Sequence, residues 1–202
     1  MKGKEILYQY LPPSSVDLVF EWIVKYHVHL KITKDRKTKL GDYRMPIYHT
    51  NHRITVNHNL NQYSFLITFV HELAHLIVFE KYKNAVLPHG DEWKAEYRNL
   101  LIHLLERPVF PEDIQKVLKK SVSHIKASST SDLSLSRVLQ RYDKNAGNPK
   151  LEELAINSVF AIPNGKRFVK GERIRTRIKC QSLQNHKFYL FHPLTPVIIQ
   201  GE

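Results

Sequence analysis

Apolar positions at Val16, Val19, Phe20, Ile23 and Val24 recur at helical spacing, which predicts a helix over 16–29 entered from Leu11-Pro-Pro-Ser-Ser15. The period then changes. Leu30–Thr33 and Lys37–Tyr43 predict strands around the polar turn Lys34-Asp35-Arg36, with a bend or bulge at Gly41-Asp42, and His52–His58 alternates as a third strand. Asn59–Gln62 supplies N-cap candidates for the most apolar helix, about 64–83. Further helices are predicted at 91–105, capped by Asp91, and at 112–125 and 133–142, with a Ser/Thr-rich linker over 126–132. A short helix follows Pro149, and the remainder is β-rich, with turns at Pro163-Asn-Gly165 and Lys170-Gly171. At 202 residues the chain can bury one core and a small subdomain. The pattern therefore predicts an α+β protein: a core over 1–125, a helical connector over 126–157 and a small β module over 158–202.

The 64–83 helix carries the chemistry. His71-Glu-Leu-Ala-His75 is an H-E-x-x-H sequence, and histidines four apart share one helical face, so both imidazoles can reach one zinc ion. Glu72 is rotated by one residue step and can meet the metal's water rather than the metal. The flanks Phe65-Leu-Ile-Thr-Phe-Val70 and Leu76-Ile-Val-Phe79 are apolar on nearly every face, which describes a buried helix. A buried carboxylate and two buried imidazoles all need partners, and a metal with its ordered water supplies them together.

A third ligand is required for a catalytic zinc. The extended metzincin pattern fails, because Val78 and Lys81 stand where Gly and His are needed. The preferred candidate is His89, in Pro88-His-Gly-Asp-Glu-Trp93; the alternative is a carboxylate on the next helix, Glu96 or Glu92. Tyr43, Tyr48, His49 and Tyr97 are candidates to stabilise an oxyanion, and the 52–58 strand is a candidate platform for an extended substrate.

Phe69-Val-His-Glu-Leu-Ala-His-Leu-Ile77 followed by Pro88-His-Gly-Asp-Glu-Trp-Lys94 resembles the SprT-like metallopeptidases, a family that includes the Spartan DNA–protein crosslink proteases. The segment from Leu40-Gly-Asp-Tyr43 to Ile54–Leu60 resembles the family's strand pair ahead of the motif helix. The resemblance spans roughly residues 15–110. It implies a zincin-like core with the HExxH helix packed under a small sheet. It also implies His71, His75 and His89 as ligands of one catalytic Zn2+, and Glu72 as the catalytic acid/base of an endopeptidase. Many family members end in a Cys-rich zinc ribbon. Here Cys180 is the sole cysteine, so a ribbon-like module has to hold together without metal, and no internal disulfide is possible.

Charge adds a candidate partner. Thirty-one Lys and Arg against 19 Asp and Glu leave +12, and the excess is uneven: 15 basic against 11 acidic residues through Phe110, then 16 against 8. Such an excess favours a polyanion, DNA above all given the resemblance, although a solvated basic surface is an equally plain reading of charge alone. Lys166, Arg167, Lys170, Arg173, Arg175, Arg177 and Lys179 are the candidate contacts. A continuous strand over 173–179 puts the last four of these on one face, with Phe168, Tyr189 and Phe191 as candidate stacking rings. The apolar run Phe65–Phe79 is short for a membrane span and interrupted by polar groups. With no signal-like N-terminus and with a lone cysteine, these features predict a cytoplasmic protein with no membrane partner; the zinc motif and the resemblance imply protein or peptide substrates. The competing class is a nucleic-acid or protein-binding module whose metal is only structural.

Overall fold

The computed structural model describes residues 2–36, 38–47, 51–123, 125, 132–144 and 147–199. The chain divides into two compact units, Met1–Lys144 and Asn145–Glu202. The first mixes α-helices with a sheet, and the regular structure of the second is, among the described residues, strand apart from one 3-10 turn, so the chain as a whole is α+β as expected.

The first unit opens with α1 (Lys2–Leu7) and α2 (Val16–Lys25). α2 ends earlier than its apolar period suggests. The chain caps at Tyr26, turns through a left-handed His27 (φ 49), and Val28 already belongs to β1 (Val28–Thr33). β2 (Gly41–Arg44) is shorter than expected, and Lys37 lies outside the described residues. β3 (His52–Asn57) is the centre of a three-stranded sheet of order β1-β3-β2, parallel to β1 and antiparallel to β2. That arrangement corrects the substrate-platform expectation. β3 is paired on both sides, and among the described residues the strand that borders a single neighbour beside the motif helix is β2.

α3 (Gln62–Tyr82) begins two residues before the expected start, because Asn61 caps it, its side chain accepting from the Tyr63 and Ser64 amides. At 21 residues it is long and apolar enough by length and composition to cross a membrane, longer than the apolar run alone indicated. In this fold it is a core helix instead. Phe65, Leu66, Ile67, Phe69, Val70, Leu73, Ala74 and Leu76 are fully buried, with the sheet on one side and α4 (Asp91–Leu105) on another. Gly90 rather than Asp91 is the N-cap of α4. α5 (Glu112–Ser123) packs on α4 and on α6 (Leu133–Leu139), which is capped by the Asp132 carboxylate. Most of the 126–132 linker lies outside the described residues.

The second unit is a five-stranded antiparallel sheet of order β7-β6-β5-β4-β8, formed by β4 (Val159–Ala161), β5 (Arg167–Ile174), β6 (Arg177–Ser182), β7 (Phe188–Phe191) and β8 (Ile198–Ile199). Leu151, Phe160, Phe168, Ile178, Cys180 and Val197 form its core. The turn at Gly165 is present, with φ 81 and its amide on the Ile162 carbonyl. Lys170-Gly171 is not a turn. It lies inside β5 at a bulge, where a Cβ on residue 171 would stand 2.5 Å from the Lys179 carbonyl oxygen, so only glycine fits. The continuous 173–179 strand is also corrected: the chain reverses at Arg175 (φ 53) and Thr176, and Ile174 pairs with Arg177 across a hairpin.

Candidate metal centre

Helical spacing stacks His71 and His75 one turn apart on α3, ring centroids 5.0 Å apart. His89 reaches them from the loop after α3. Its left-handed backbone (φ 59) turns the chain back immediately before α4, where a side-chain-bearing residue is unusual. The Nε2 atoms of His75 and His89 are 3.0 Å apart, and those of His89 and His71 3.2 Å. A tetrahedral zinc with Zn–N bonds near 2.05 Å separates its nitrogens by about 3.3 Å, so these spacings suit one ion. Among the described residues this trio is the one group of three His, Cys, Asp or Glu with ligand atoms within 4.8 Å of each other.

The donors are in the right protonation state. Burial pushes His71 down to about 3, helped by His75 and His89, and His75 down to about 4, helped by His89; burial also lowers His89. Neutral imidazoles are what a metal requires. Trp93, fully buried on α4, packs on all three rings at centroid distances of 4.7, 5.3 and 4.7 Å to His71, His75 and His89, and stacks on Tyr97 at 4.9 Å. The alternative ligand Glu96 is engaged elsewhere, accepting from Lys81 Nζ at 2.6 Å. Neither Glu96 nor Glu92 joins the trio.

Glu72 is 8% exposed, wedged between α3 and β2. Burial raises its carboxyl to about 7, and the charge of Asp42 adds to the rise; a hydrogen bond from the Tyr43 backbone and the charges of Arg36 and Lys39 oppose it. Gly41 makes the wedge possible: a Cβ there would stand 2.7 Å from both Glu72 Oε1 and Thr68 Cγ2. Of the oxyanion candidates, the Tyr43 hydroxyl is committed to His52 Nδ1 at 2.9 Å, and Tyr97 lies under Trp93. Tyr48 and His49 lie outside the described residues.

The family model for the SprT-like family matches residues 15–110. Residues 15–110 are thus a SprT-like domain. No curated protein and no solved structure matches it. The match covers every residue of the histidine cluster, Glu72 and the three-stranded sheet, and stops short of the second unit.

The basic candidates of that second unit do not share one face. Lys166, Arg167, Arg173, Arg175 and Arg177 are exposed, and Lys179 is half-buried with its ammonium 4.1 Å from the Phe188 ring centre. Lys170 is buried, its ammonium donating to the Glu152 carbonyl at 3.1 Å and to the Leu154 carbonyl, so it is a clamp and not a surface contact. Phe168 is core, Phe191 half-buried and Tyr189 exposed; Phe188, 60% exposed, is the ring the sequence reading missed. Trp93 and Gly41 were also missed as parts of the site. The H-G-D-E-W spacing was the signal for Trp93, since it places the indole on the first turn after His89.

Proposed function

We propose that the SprT-like domain is a zinc-dependent endopeptidase, with His71, His75 and His89 holding one Zn2+ and Glu72 moving the proton. The observation that carries this reading is the convergence of three neutral Nε2 atoms on one point beside a buried carboxyl that titrates near 7. When bound, zinc supplies a Lewis acid that polarises a peptide carbonyl and acidifies water. The protein's own groups do the rest. Burial keeps the three imidazoles neutral, so each has a ring nitrogen free of competition from solvent protons. Burial raises the Glu72 carboxyl in the metal-free fold, opposing the pull of a neighbouring cation, so the group is suited to accept a proton and release it to a leaving nitrogen. The edge of β2 that no described strand pairs, next to Glu72, offers main-chain groups to an extended substrate. This zincin-like arrangement, helix under sheet edge, is the finer fold assignment we draw from the site.

The test is zinc content in the wild type and in His71→Ala, His75→Ala, His89→Ala and Glu96→Ala, followed by casein cleavage. About one zinc per chain, lost in the first three variants and kept in the fourth, with cleavage abolished in Glu72→Gln, supports the reading. Full zinc binding with no cleavage points to the structural-metal module.

A second reading, that the substrates are DNA-associated or DNA-crosslinked proteins, draws on the second unit. Cross-strand register puts Arg177 and Lys179 of β6 on the same face as Phe188 and Leu190 of β7, opposite the core residues Ile178 and Cys180. Cations interleaved with an exposed ring suit single-stranded nucleic acid. Binding of a single-stranded oligonucleotide that weakens with salt and with Arg177→Ala or Phe188→Ala supports it; salt-insensitive or absent binding removes it.

A further inference from the structure

Tyr43 is held at both ends. Its backbone hydrogen-bonds the Glu72 carboxylate, and its hydroxyl meets His52 Nδ1 at 2.9 Å. His52, 8% exposed at the start of β3, then places Nε2 3.1 Å from the Glu80 carboxylate on α3. Hydrogen-bond accounting fixes the tautomer. A carboxylate only accepts, so His52 carries its proton on Nε2, and Nδ1 is left to accept from the Tyr43 O–H. Burial keeps the ring neutral against the pull of Glu80, and Lys83 and His27 act in the same direction as burial. Phe79 packs beneath both rings, at 6.3 Å from Tyr43 and 6.1 Å from His52. Lys83 shares the Glu80 carboxylate at 3.5 Å.

The result is a closed circuit: from Glu72 on α3 to Tyr43 on β2, to His52 on β3, and back to Glu80 two turns along α3. β2 needs such an anchor. It is four residues long, among the described residues it pairs only with β3, and Gly41 gives it no side chain with which to grip α3. We propose that Glu80, His52 and Tyr43 form a positioning relay that fixes β2 on α3 and so sets the hydrogen bond from the Tyr43 backbone to Glu72. None of the three belongs to the histidine trio, so they are positioning residues and not ligands. The consequence for catalysis rests on the peptidase reading; the fixing of β2 does not.

The test uses the full chain, zinc-loaded, as wild type, Tyr43→Phe, His52→Phe, Glu80→Leu and Glu80→Gln. Glutamine keeps an acceptor for Nε2–H, so Glu80→Gln is the conservative variant. Amide exchange over 41–44 is expected to quicken by about tenfold in the first three variants, to stay at wild-type rates in Glu80→Gln, and to stay slow over 67–78 in all. Long-range 1H–15N spectra are expected to show His52 as the neutral Nε2–H tautomer in the wild type and in Glu80→Gln. With labelled casein, kcat is expected to fall about tenfold in Tyr43→Phe with KM moved less than twofold. Unchanged exchange over 41–44 in Tyr43→Phe, or an Nδ1–H tautomer in the wild type, overturns the relay. Tyr43→Phe removes one oxygen atom and carries the test if His52→Phe fails to fold. A wild type that cleaves no casein sinks the peptidase reading, while the exchange and tautomer results still decide the relay.

Discussion

Replacing Glu72 by glutamine should make the metal-free protein more stable while abolishing its activity. The carboxyl ionises near 7 in the fold and at 4.5 when free. Its charged form is therefore penalised by burial. Below pH 4.5 the group is protonated in both folded and unfolded chains and the penalty is absent. Between 4.5 and 7 the unfolded chain releases its proton first, and wild-type stability falls by up to about 1.4 kcal/mol per pH unit. Above 7 the loss levels off at about 3 kcal/mol. The glutamine of the Glu72→Gln variant never ionises and can still accept from the Tyr43 amide, so it escapes the penalty. The assay is urea unfolding of both proteins in chelator at pH 4, 6 and 8, read by tryptophan fluorescence. Trp22 and Trp93 are the only tryptophans, and both belong to the first unit, so the signal follows that unit alone. For a domain of this size the variant's midpoint should lie about 1.5 M urea higher at pH 8 and coincide with wild type at pH 4. Equal midpoints at pH 8, or a gap that persists at pH 4, would refute the account of Glu72 as a desolvated carboxyl.

Other consequences can be checked independently. Gly41→Ala forces a methyl against Glu72 Oε1 and Thr68 Cγ2, which should cost about 1–3 kcal/mol in thermal or urea unfolding and lower casein cleavage. Trp93→Ala removes the packing beneath three imidazoles and should destabilise the first unit by about 3–5 kcal/mol and weaken zinc retention against a chelator. Lys170→Met strands the Glu152 and Leu154 carbonyls and should cost the second unit about 1–3 kcal/mol, seen in its NMR resonances, with zinc content unchanged.

The sequence was most readable where one physical requirement dominates. Four-residue spacing sets two imidazoles on one helical face whatever surrounds them, so His71 and His75 were legible, and α4 was read to its terminal residues from a clear apolar stripe. His89 was legible only as the best of three candidates. What favours it is its approach to both motif histidines, at 3.0 and 3.2 Å, together with the engagement of Glu96 by Lys81, contacts between elements that no local pattern records. The edge position of β2 was hidden for a similar reason. Strand order is a matter of which chain segments meet, and β3 alternates like an edge strand while sitting in the middle. Arg173–Lys179 misled because strict alternation fits a hairpin as well as a strand when the turn residue, Arg175, lacks the glycine that usually announces a left-handed turn.

The all-round burial of α3 has a consequence for mutational scans of this chain. A screen that scores only cellular abundance will find nearly every position from Phe65 to Val78 intolerant, because all but His71 and His75 are buried in the core. Under zinc-depleted growth Glu72 should stand out among the buried positions as the exception, a site where the neutral isostere accumulates to higher levels than the parent. A residue preferred by activity and disfavoured by abundance is thus expected at one position in a stretch where the two scores otherwise agree, and that divergence marks the reacting group without a substrate in hand.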